Sequence, residues 1–162
     1  MNKAMQLNGI PRFLCDEMLG RLGRYLRAAG YDTTLASGGE PDSRWLKQAI
    51  DEGRYFLTRD RLVLEYRIAQ GVAFLLPEGD LDRYASALSS AFTLHWTAHA
   101  FTRCLVDNTL LITANDAQRA RLPACAAHQH QRVMACPTCG RLYWQGSHYR
   151  RMRERLLHWQ GG

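Results

Sequence analysis

The sequence predicts an α/β fold, in which a mainly parallel sheet carries helices on both faces and a small metal-binding module follows it. In the first part of the chain, strand-like apolar runs alternate with helical segments, and this rhythm implies right-handed crossovers between parallel strands. From about His95 onward, scattered cysteines, histidines and short apolar runs replace that rhythm. We therefore predict one domain over residues 12–95 and an appended module over residues 96–162.

Four strands and four helices are predicted for the first domain from apolar periodicity and from turn residues. The strands are expected at Arg12 to Cys15, Tyr31 to Ala36, Tyr55 to Thr58 and Val72 to Leu76. The helices are expected around Leu19 to Leu26, from Asp42 as N-cap to Gly53, from Asp60 to Gln70 and from Leu81 to Phe92. In the second module, the segment from Tyr149 to Trp159 has a helical pattern that Ser147 can cap.

The overall charge indicates the class of partner, and the cysteine content indicates how the thiols are used. The formal net charge is +6, which favours binding to a polyanion. Nucleic acid is therefore the first candidate partner. No stretch is long and apolar enough to span a bilayer, and the opening residues lack the apolar core of a secretory signal, so we expect a cytoplasmic protein with no membrane partner. The chain has five cysteines, an odd number, and in a reducing compartment cysteines indicate metal binding rather than disulfide bonds.

Three aspartates are placed to form a catalytic metal site. Asp16 ends the first predicted strand, Asp60 follows the third, and Asp42 opens the helix after the second. Because the ligand crevice of an open parallel sheet lies at the carboxyl ends of its strands, we expect these carboxylates to converge there. Carboxylate oxygens suit Mg²⁺ or Mn²⁺, which can activate water for attack on a phosphodiester. The alternative is that each aspartate only caps the following helix. Asp32 and Glu65 are weaker candidates, because Asp32 can simply start a strand and Glu65 is better explained by a solvated helix face.

The cysteine module predicts a structural zinc site. Cys136 and Cys139 form a C-x-x-C turn that points two thiolates at one ion. Cys104 and Asp107 have the matching spacing, with aspartate in place of the second cysteine. We rank Asp107 first as the fourth ligand and the histidines of the intervening loop, His128 or His130, second, with Cys125 also near. Cys15, inside an apolar strand, is expected to be a core residue.

Three segments together are similar to a known family. They are FLCDEMLGRLGRYLRAAGYDT from Phe13, LTRD from Leu57, and CPTCGRLYWQGSH from Cys136. This ordered combination resembles the Mut-seven C-terminal ribonuclease domain, a PIN-like nuclease fold that carries a zinc ribbon, from about Arg12 to Leu157. The resemblance implies RNA cleavage that depends on a divalent metal, with Asp16 and Asp60 at its centre and Asp42 beside them. The family normally has cysteine where this chain has Asp107.

Basic side chains are expected to guide a single RNA strand across the acidic edge. A clustered set of carboxylates repels phosphate, so cations are needed nearby. We assign this role to the helical stripe of Arg21, Arg24 and Arg27, to Arg59 beside Asp60, and to the C-terminal segment. There, Arg151 and Arg155 belong to a run of four arginines that also includes Arg150 and Arg153, and His148 lies near the aromatic Tyr143 and Trp144. Trp144 can equally be core.

Two other functions fit the same residues. In one, the acids are vestigial and the chain is a non-catalytic RNA- or ribosome-binding adaptor, which requires Asp16 and Asp60 to diverge or to bind no divalent ion. In the other, the basic surface serves DNA, which competition between single-stranded RNA and duplex DNA distinguishes. The residues point to neither a protein inhibitor nor a particular oligomeric state.

Overall fold

The computed structural model describes residues 9–127 and 132–162, and this part of the chain forms two compact units. The first unit contains the residues up to Leu26 together with Tyr31–Leu94. The second contains His95–Gly162 and the short segment Arg27–Gly30. The sequence gives no sign that residues 27–30 group with the later part of the chain, because they continue the periodicity of a helix in the first unit.

The first unit is built on a four-stranded parallel sheet, which confirms the predicted mixed α/β class with a parallel sheet. Its strands β1 to β4 lie side by side in the order β2-β1-β3-β4. Their bounds are Phe13–Cys15, Thr33–Leu35, Tyr55–Thr58 and Ala73–Leu75. The two inner strands, β1 and β3, are almost entirely buried, as continuous apolar runs in a parallel sheet are expected to be.

Helices cover both faces of this sheet, as predicted. They are α1 at Gly20–Ala28, α2 at Asp42–Asp51 and α3 at Leu81–Ala91, with a short 3-10 turn at Glu17–Leu19 before α1. Leu14 packs in one core with Trp45 and Leu46 of α2, whereas a Cβ on Gly23 of α1 would lie 3.4 Å from Sγ of Cys15. Because neighbouring strand residues face opposite sides of a sheet, α1 and α2 lie on opposite faces.

The segment after Asp60 is not the helix that the sequence predicts. It forms two short 3-10 helices, Arg61–Glu65 and Arg67–Ala69, separated by Tyr66 in an extended conformation. Only Val63 and Ala69 of these helices are buried, while Leu62 and Ile68 are 63% and 45% exposed. An α-helix here would gain little from tertiary packing, which normally supplies most of a short helix's stability.

An ion-pair network occupies the amino-terminal edge of the sheet. The guanidinium of Arg54, only 7% exposed, donates to the Asp32 carboxylate at 2.7 Å and to the Glu52 carboxylate. Arg12 donates to the other Asp32 oxygen at 3.0 Å. Asp32 therefore has a structural role just before β2, at the edge opposite Asp16, which agrees with the alternative that it simply starts a strand.

The second unit contains a small antiparallel sheet and a long C-terminal helix. Strands β5 to β7 pair in the order β5-β6-β7 and are followed by the 15-residue helix α6. The bounds are Ile112–Thr113, Met134–Ala135 and Leu142–Tyr143 for the strands, and Asp116–Arg119, Ala124–Ala127 and Ser147–Gly161 for helices α4 to α6. Trp144 packs against the core of this sheet. Across residues 9–127 and 132–162, no helix combines the length and apolar character needed to cross a membrane.

Helix α6 buries one side and exposes its charges. Met152, Leu156 and Trp159 are buried, and the Trp159 ring meets Trp96 edge-on at 4.9 Å between centroids. Gly146 is the N-cap and no side chain caps the helix, so the prediction that Ser147 caps it was wrong. Ser147 is instead the first helical residue.

Candidate functional site

Asp16 and Asp60 are brought together at the carboxyl edge of the sheet by one hydroxyl group. Thr58, the buried last residue of β3, donates its hydroxyl to Oδ2 of Asp16 at 2.8 Å. The same Thr58 oxygen accepts the backbone N–H of Asp60 at 3.0 Å. Pairing of β1 with β3 explains this proximity, because Cys15 and Leu57 lie in register immediately before the two polar ends. Asp16 and Asp60 therefore belong to one hydrogen-bonded group.

Both aspartates also have local capping roles. Oδ1 of Asp16 accepts the N–H of Glu17 at 2.6 Å, and Oδ1 of Asp60 accepts the N–H of Leu62 at 2.8 Å. The capping alternative is thus real for these two residues, but each carboxylate has a second oxygen. For Asp16 that oxygen is the acceptor of Thr58.

Asp42 lies close enough to the other two carboxylates to sense their charge. Burial, followed by the negative charges of Asp16 and Asp60, raises the pKa of the Asp42 carboxyl above its ordinary value. The prediction that Asp42 is an N-cap was wrong: Pro41 holds that position, no side chain caps α2, and Asp42 is the first helical residue. Its carboxylate at this edge is therefore not explained by capping.

A cleft of about 550 Å³ opens beside these acids. It is lined by Asp16, Glu17, Met18, Gly39, Glu40, Asp42 and Trp45. Glu17 helps to shape it, because its carboxylate accepts the N–H of Gly39 at 2.7 Å. Asp60 does not line the cleft and is linked to it through Thr58 and Asp16. Sequence reasoning missed Thr58, although a hydroxyl residue that ends a buried strand two positions before Asp60 was a usable signal.

The four arginines that the sequence predicts to bind RNA near the acidic edge differ in their exposure. Arg21, Arg24 and Arg59 are exposed. Arg27, in contrast, belongs to the second unit and is only 4% exposed. Its guanidinium donates to the backbone carbonyls of Leu105 and Val106 at 3.1 and 2.8 Å. The prediction that Arg27 is part of an exposed basic stripe was therefore wrong, because its guanidinium is buried against these two carbonyls.

On helix α6, the predicted RNA-binding side chains are accessible to different degrees. His148 and Arg151 are exposed, and Arg155 is half-buried with its guanidinium 6.0 Å from the centroid of the Trp159 ring. Arg155 therefore has a packing role on this helix in addition to its charge.

The four predicted zinc ligands of the second unit lie in one cluster. Ligand atoms of Cys104, Asp107, Cys136 and Cys139 are all within 4.8 Å of one another, and among the described residues no other group of three or more such side chains is this tight. Sγ of Cys104 is 3.6 Å from Sγ of Cys139, and the Asp107 oxygens are 3.3 and 3.4 Å from Sγ of Cys136. Two thiolates on a tetrahedral zinc ion lie about 3.8 Å apart. The cluster could thus bind a metal such as zinc.

Tyr143 supports this cluster and was not predicted to do so. Its hydroxyl accepts the N–H of Leu105 at 3.1 Å and lies 3.1 Å from Sγ of Cys104, to which it can donate. Such contacts orient metal ligands and tune their basicity. His128 and His130, the alternative fourth ligands, lie outside the described residues, as does the side chain of Cys125.

Comparison with known proteins places the chain by its sequence. No curated protein sequence and no solved structure matches it with significant similarity. Residues 11–156 of its 162 residues match the family described as the Mut7-C RNAse domain. This match spans both units, including the acidic edge and the cysteine–aspartate cluster. The chain is therefore a member of the Mut7-C RNAse domain family, whose description indicates a ribonuclease-type function.

Proposed function

We propose that this protein is a divalent-metal-dependent ribonuclease that hydrolyses single-stranded RNA at the edge formed by Asp16, Asp42 and Asp60. The observation that carries the proposal is the Thr58 hydroxyl, which ties Asp16 to Asp60. Burial, and then the charges of these two aspartates, raise the pKa of Asp42 beside them. Three carboxylates that repel one another at the open edge of a buried sheet favour a cation among them.

The donor set fits magnesium or manganese. These hard cations bind carboxylate and water oxygens, and Mg²⁺ usually keeps several waters beside one or two protein carboxylates. The three aspartates need not approach one another as tightly as the cysteine–aspartate cluster does, because water can complete the ligand set. When bound, such a cation supplies activated water and charge stabilisation for phosphodiester hydrolysis.

The chain's own residues prepare this edge for substrate. Thr58 holds one oxygen of Asp16 in a fixed direction, and the N–H of Glu17 holds the other. Glu17 in turn holds the Gly39 loop beside the cleft. Exposed Arg21, Arg24 and Arg59 would attract the RNA phosphates to the first unit.

For the second unit, we propose a zinc ribbon whose structural zinc is held by Cys104, Asp107, Cys136 and Cys139. The support is the cluster itself and the three-stranded antiparallel sheet that follows the first pair of ligands. Soft thiolates select zinc over the hard cations proposed for the acidic edge, so the two sites would hold different metals. His148 and Arg151 would add RNA contacts on this unit.

A cleavage assay with separate metal add-back tests the proposal. Wild-type protein is treated with EDTA, desalted, reloaded with zinc, and mixed with labelled single-stranded RNA. Zinc alone should leave the RNA intact, and added Mn²⁺ or Mg²⁺ should restore cleavage. Asp16→Asn should abolish cleavage, whereas Asp51→Asn, which removes an exposed helix carboxylate paired with Lys47, should not.

Two outcomes would contradict the proposal. Binding of RNA without cleavage under any divalent cation would favour the non-catalytic adaptor. Preferential binding of duplex DNA over single-stranded RNA in competition would move the function to DNA.

A further inference from the structure

A small aromatic cavity in the second unit has the features of a nucleobase-binding site. Its volume is about 190 Å³, and it is lined by Thr97, Ala100, Phe101, Tyr149, Arg153, Leu156 and Leu157. None of these residues belongs to the cysteine–aspartate cluster or to the acidic edge. The volume equals that of about six water molecules and is below that of pockets for drug-sized ligands. It therefore suits one planar ring system.

Two half-buried aromatic rings form the surface that a planar ligand would meet. Phe101 and Tyr149 lie with their centroids 4.1 Å apart and their planes 39° from parallel. Both rings line the cavity, and Leu157 extends its apolar surface with 44% exposure. Aromatic faces of this kind stack on unpaired bases, and they do so with little dependence on base identity.

The backbone at Phe101 fixes the position of its ring at a conformational cost. Phe101 has a φ of +61°, a left-handed conformation that is a genuine outlier for a bulky residue. The conformation is held by its N–H, which donates to the carbonyl of Ala28 at 2.6 Å within the same unit. Strain of this kind is found where the surrounding structure positions a group for binding.

A cation at the cavity distinguishes a nucleotide from an uncharged aromatic ligand. Arg153 lines the cavity and is exposed, so its guanidinium can meet an anion at the rim. Helix α6 also carries Arg150, Arg151 and Arg155 against the single acid Glu154. An aromatic platform beside positive charge matches a base and its neighbouring phosphate.

We propose that this cavity binds one unpaired nucleobase of the RNA strand, stacked on the outer surface of the contacting Phe101–Tyr149 ring pair, with its phosphate on Arg153. The inference rests on the proposed ribonuclease function for the identity of the strand. It adds a binding subsite within the second unit that takes part in no bond cleavage. Binding there would be tolerant of sequence and sensitive to salt.

Fluorescence of 2-aminopurine tests the inference. A short single-stranded RNA with one 2-aminopurine is mixed with the full-length Asp16→Asn protein, and a gel checks that the RNA stays intact. Stacking quenches this base, so fluorescence should fall on binding. Tyr149→Ala should abolish the quenching and weaken binding about 5- to 150-fold, the range for loss of one stacked base, while Tyr149→Phe should retain both.

Two further variants keep the test independent of folding defects. Phe101→Gly removes the ring but suits the left-handed backbone, so it should lose quenching without the cost of a misfit conformation. Arg153→Ala should reduce the salt dependence of binding, while Lys47→Ala, which removes an exposed cation of the first unit that is paired with Asp51, should leave that salt dependence unchanged. Wild-type fluorescence that does not change on binding, or quenching that survives both Tyr149→Ala and Phe101→Gly, would overturn the proposal. Neither result would affect metal-dependent cleavage by the wild-type protein, which tests the proposed function separately.

Discussion

Replacing Asp107 tests whether a carboxylate completes the metal cluster. The wild-type cluster has three thiols and one carboxylate, and the Asp107 oxygens lie 3.3 and 3.4 Å from Sγ of Cys136. Structural zinc sites with four ligands contribute about 10 to 16 kcal/mol, or about 2.5 to 4 kcal/mol per ligand. Asp107→Ala should therefore weaken zinc binding about 70- to 900-fold. The same substitution removes the carboxylate that accepts the Thr109 N–H at 3.0 Å. Loss of this hydrogen bond should lower the free energy of unfolding by about 1 kcal/mol.

The matched variant Asp107→Cys should act in the opposite direction. A fourth thiolate suits zinc better than a carboxylate, so its affinity should exceed that of the wild type. Competition with a chromophoric zinc chelator measures the affinities, and elemental analysis gives the stoichiometry, expected to be one zinc per chain. If Asp107→Ala binds zinc as tightly as the wild type, Asp107 is not a ligand. The same competition on His128→Ala and His130→Ala would then identify the fourth donor.

Three further predictions concern stability and RNA binding. Because the folded-state pKa of Asp42 is raised, ionisation of its carboxyl costs folding stability as the pH rises above about 3.8. The Asp42→Asn protein should therefore melt at an equal or higher temperature than the wild type at pH 7 without divalent cations, and this gain should disappear on acidification. A lower melting temperature would refute the crowding of the three acids. The hydrogen bond from Arg54 lowers the pKa of Glu52, so this pair stabilises the fold above about pH 4.5, and the stabilisation is lost as the pH falls. Arg54→Met should lower the free energy of unfolding in urea by about 3 kcal/mol at pH 7 and flatten its dependence on acid. Arg27→Ala should lower the free energy of unfolding by about 2 to 4 kcal/mol without changing RNA affinity in a fluorescence anisotropy titration. Arg24→Ala should leave folding stability intact and reduce the salt slope of RNA binding by about 0.7. The reverse pattern would contradict the assigned roles.

The features that local sequence patterns determine were predictable. Buried runs such as Phe13–Cys15 followed by an acid place Asp16 at a strand end, and the short-range spacing of Cys136 and Cys139 indicates a metal-binding turn. These predictions need only strand periodicity, turn chemistry and the rule that parallel strands end at one edge. The proximity of Asp16 and Asp60 follows from the pairing of β1 with β3 once the sheet is parallel.

The features that depend on long-range contacts were not predictable. Arg27 continues the helical spacing of Arg21 and Arg24, yet two carbonyls more than seventy residues away bury it. The helix predicted after Asp60 is replaced by 3-10 turns, because the aspartate accepts the N–H two residues ahead and little of the segment packs on the core. The sequence predicts that Tyr143 offers an aromatic face to RNA, whereas its contact with Cys104 depends on the folded sheet.

Counting bound manganese while following cleavage is the most direct test of the acidic edge. Electron paramagnetic resonance reports free Mn²⁺, so a titration of zinc-loaded protein gives the number of ions bound, and samples from the same titration mixed with labelled single-stranded RNA give the cleavage rate. The wild type should bind Mn²⁺ and cleave in parallel. Asp60→Asn should lose both while keeping its zinc and its fold, since asparagine can still accept the N–H of Leu62. An Asp60→Asn protein that cleaves RNA at the wild-type rate would contradict the account.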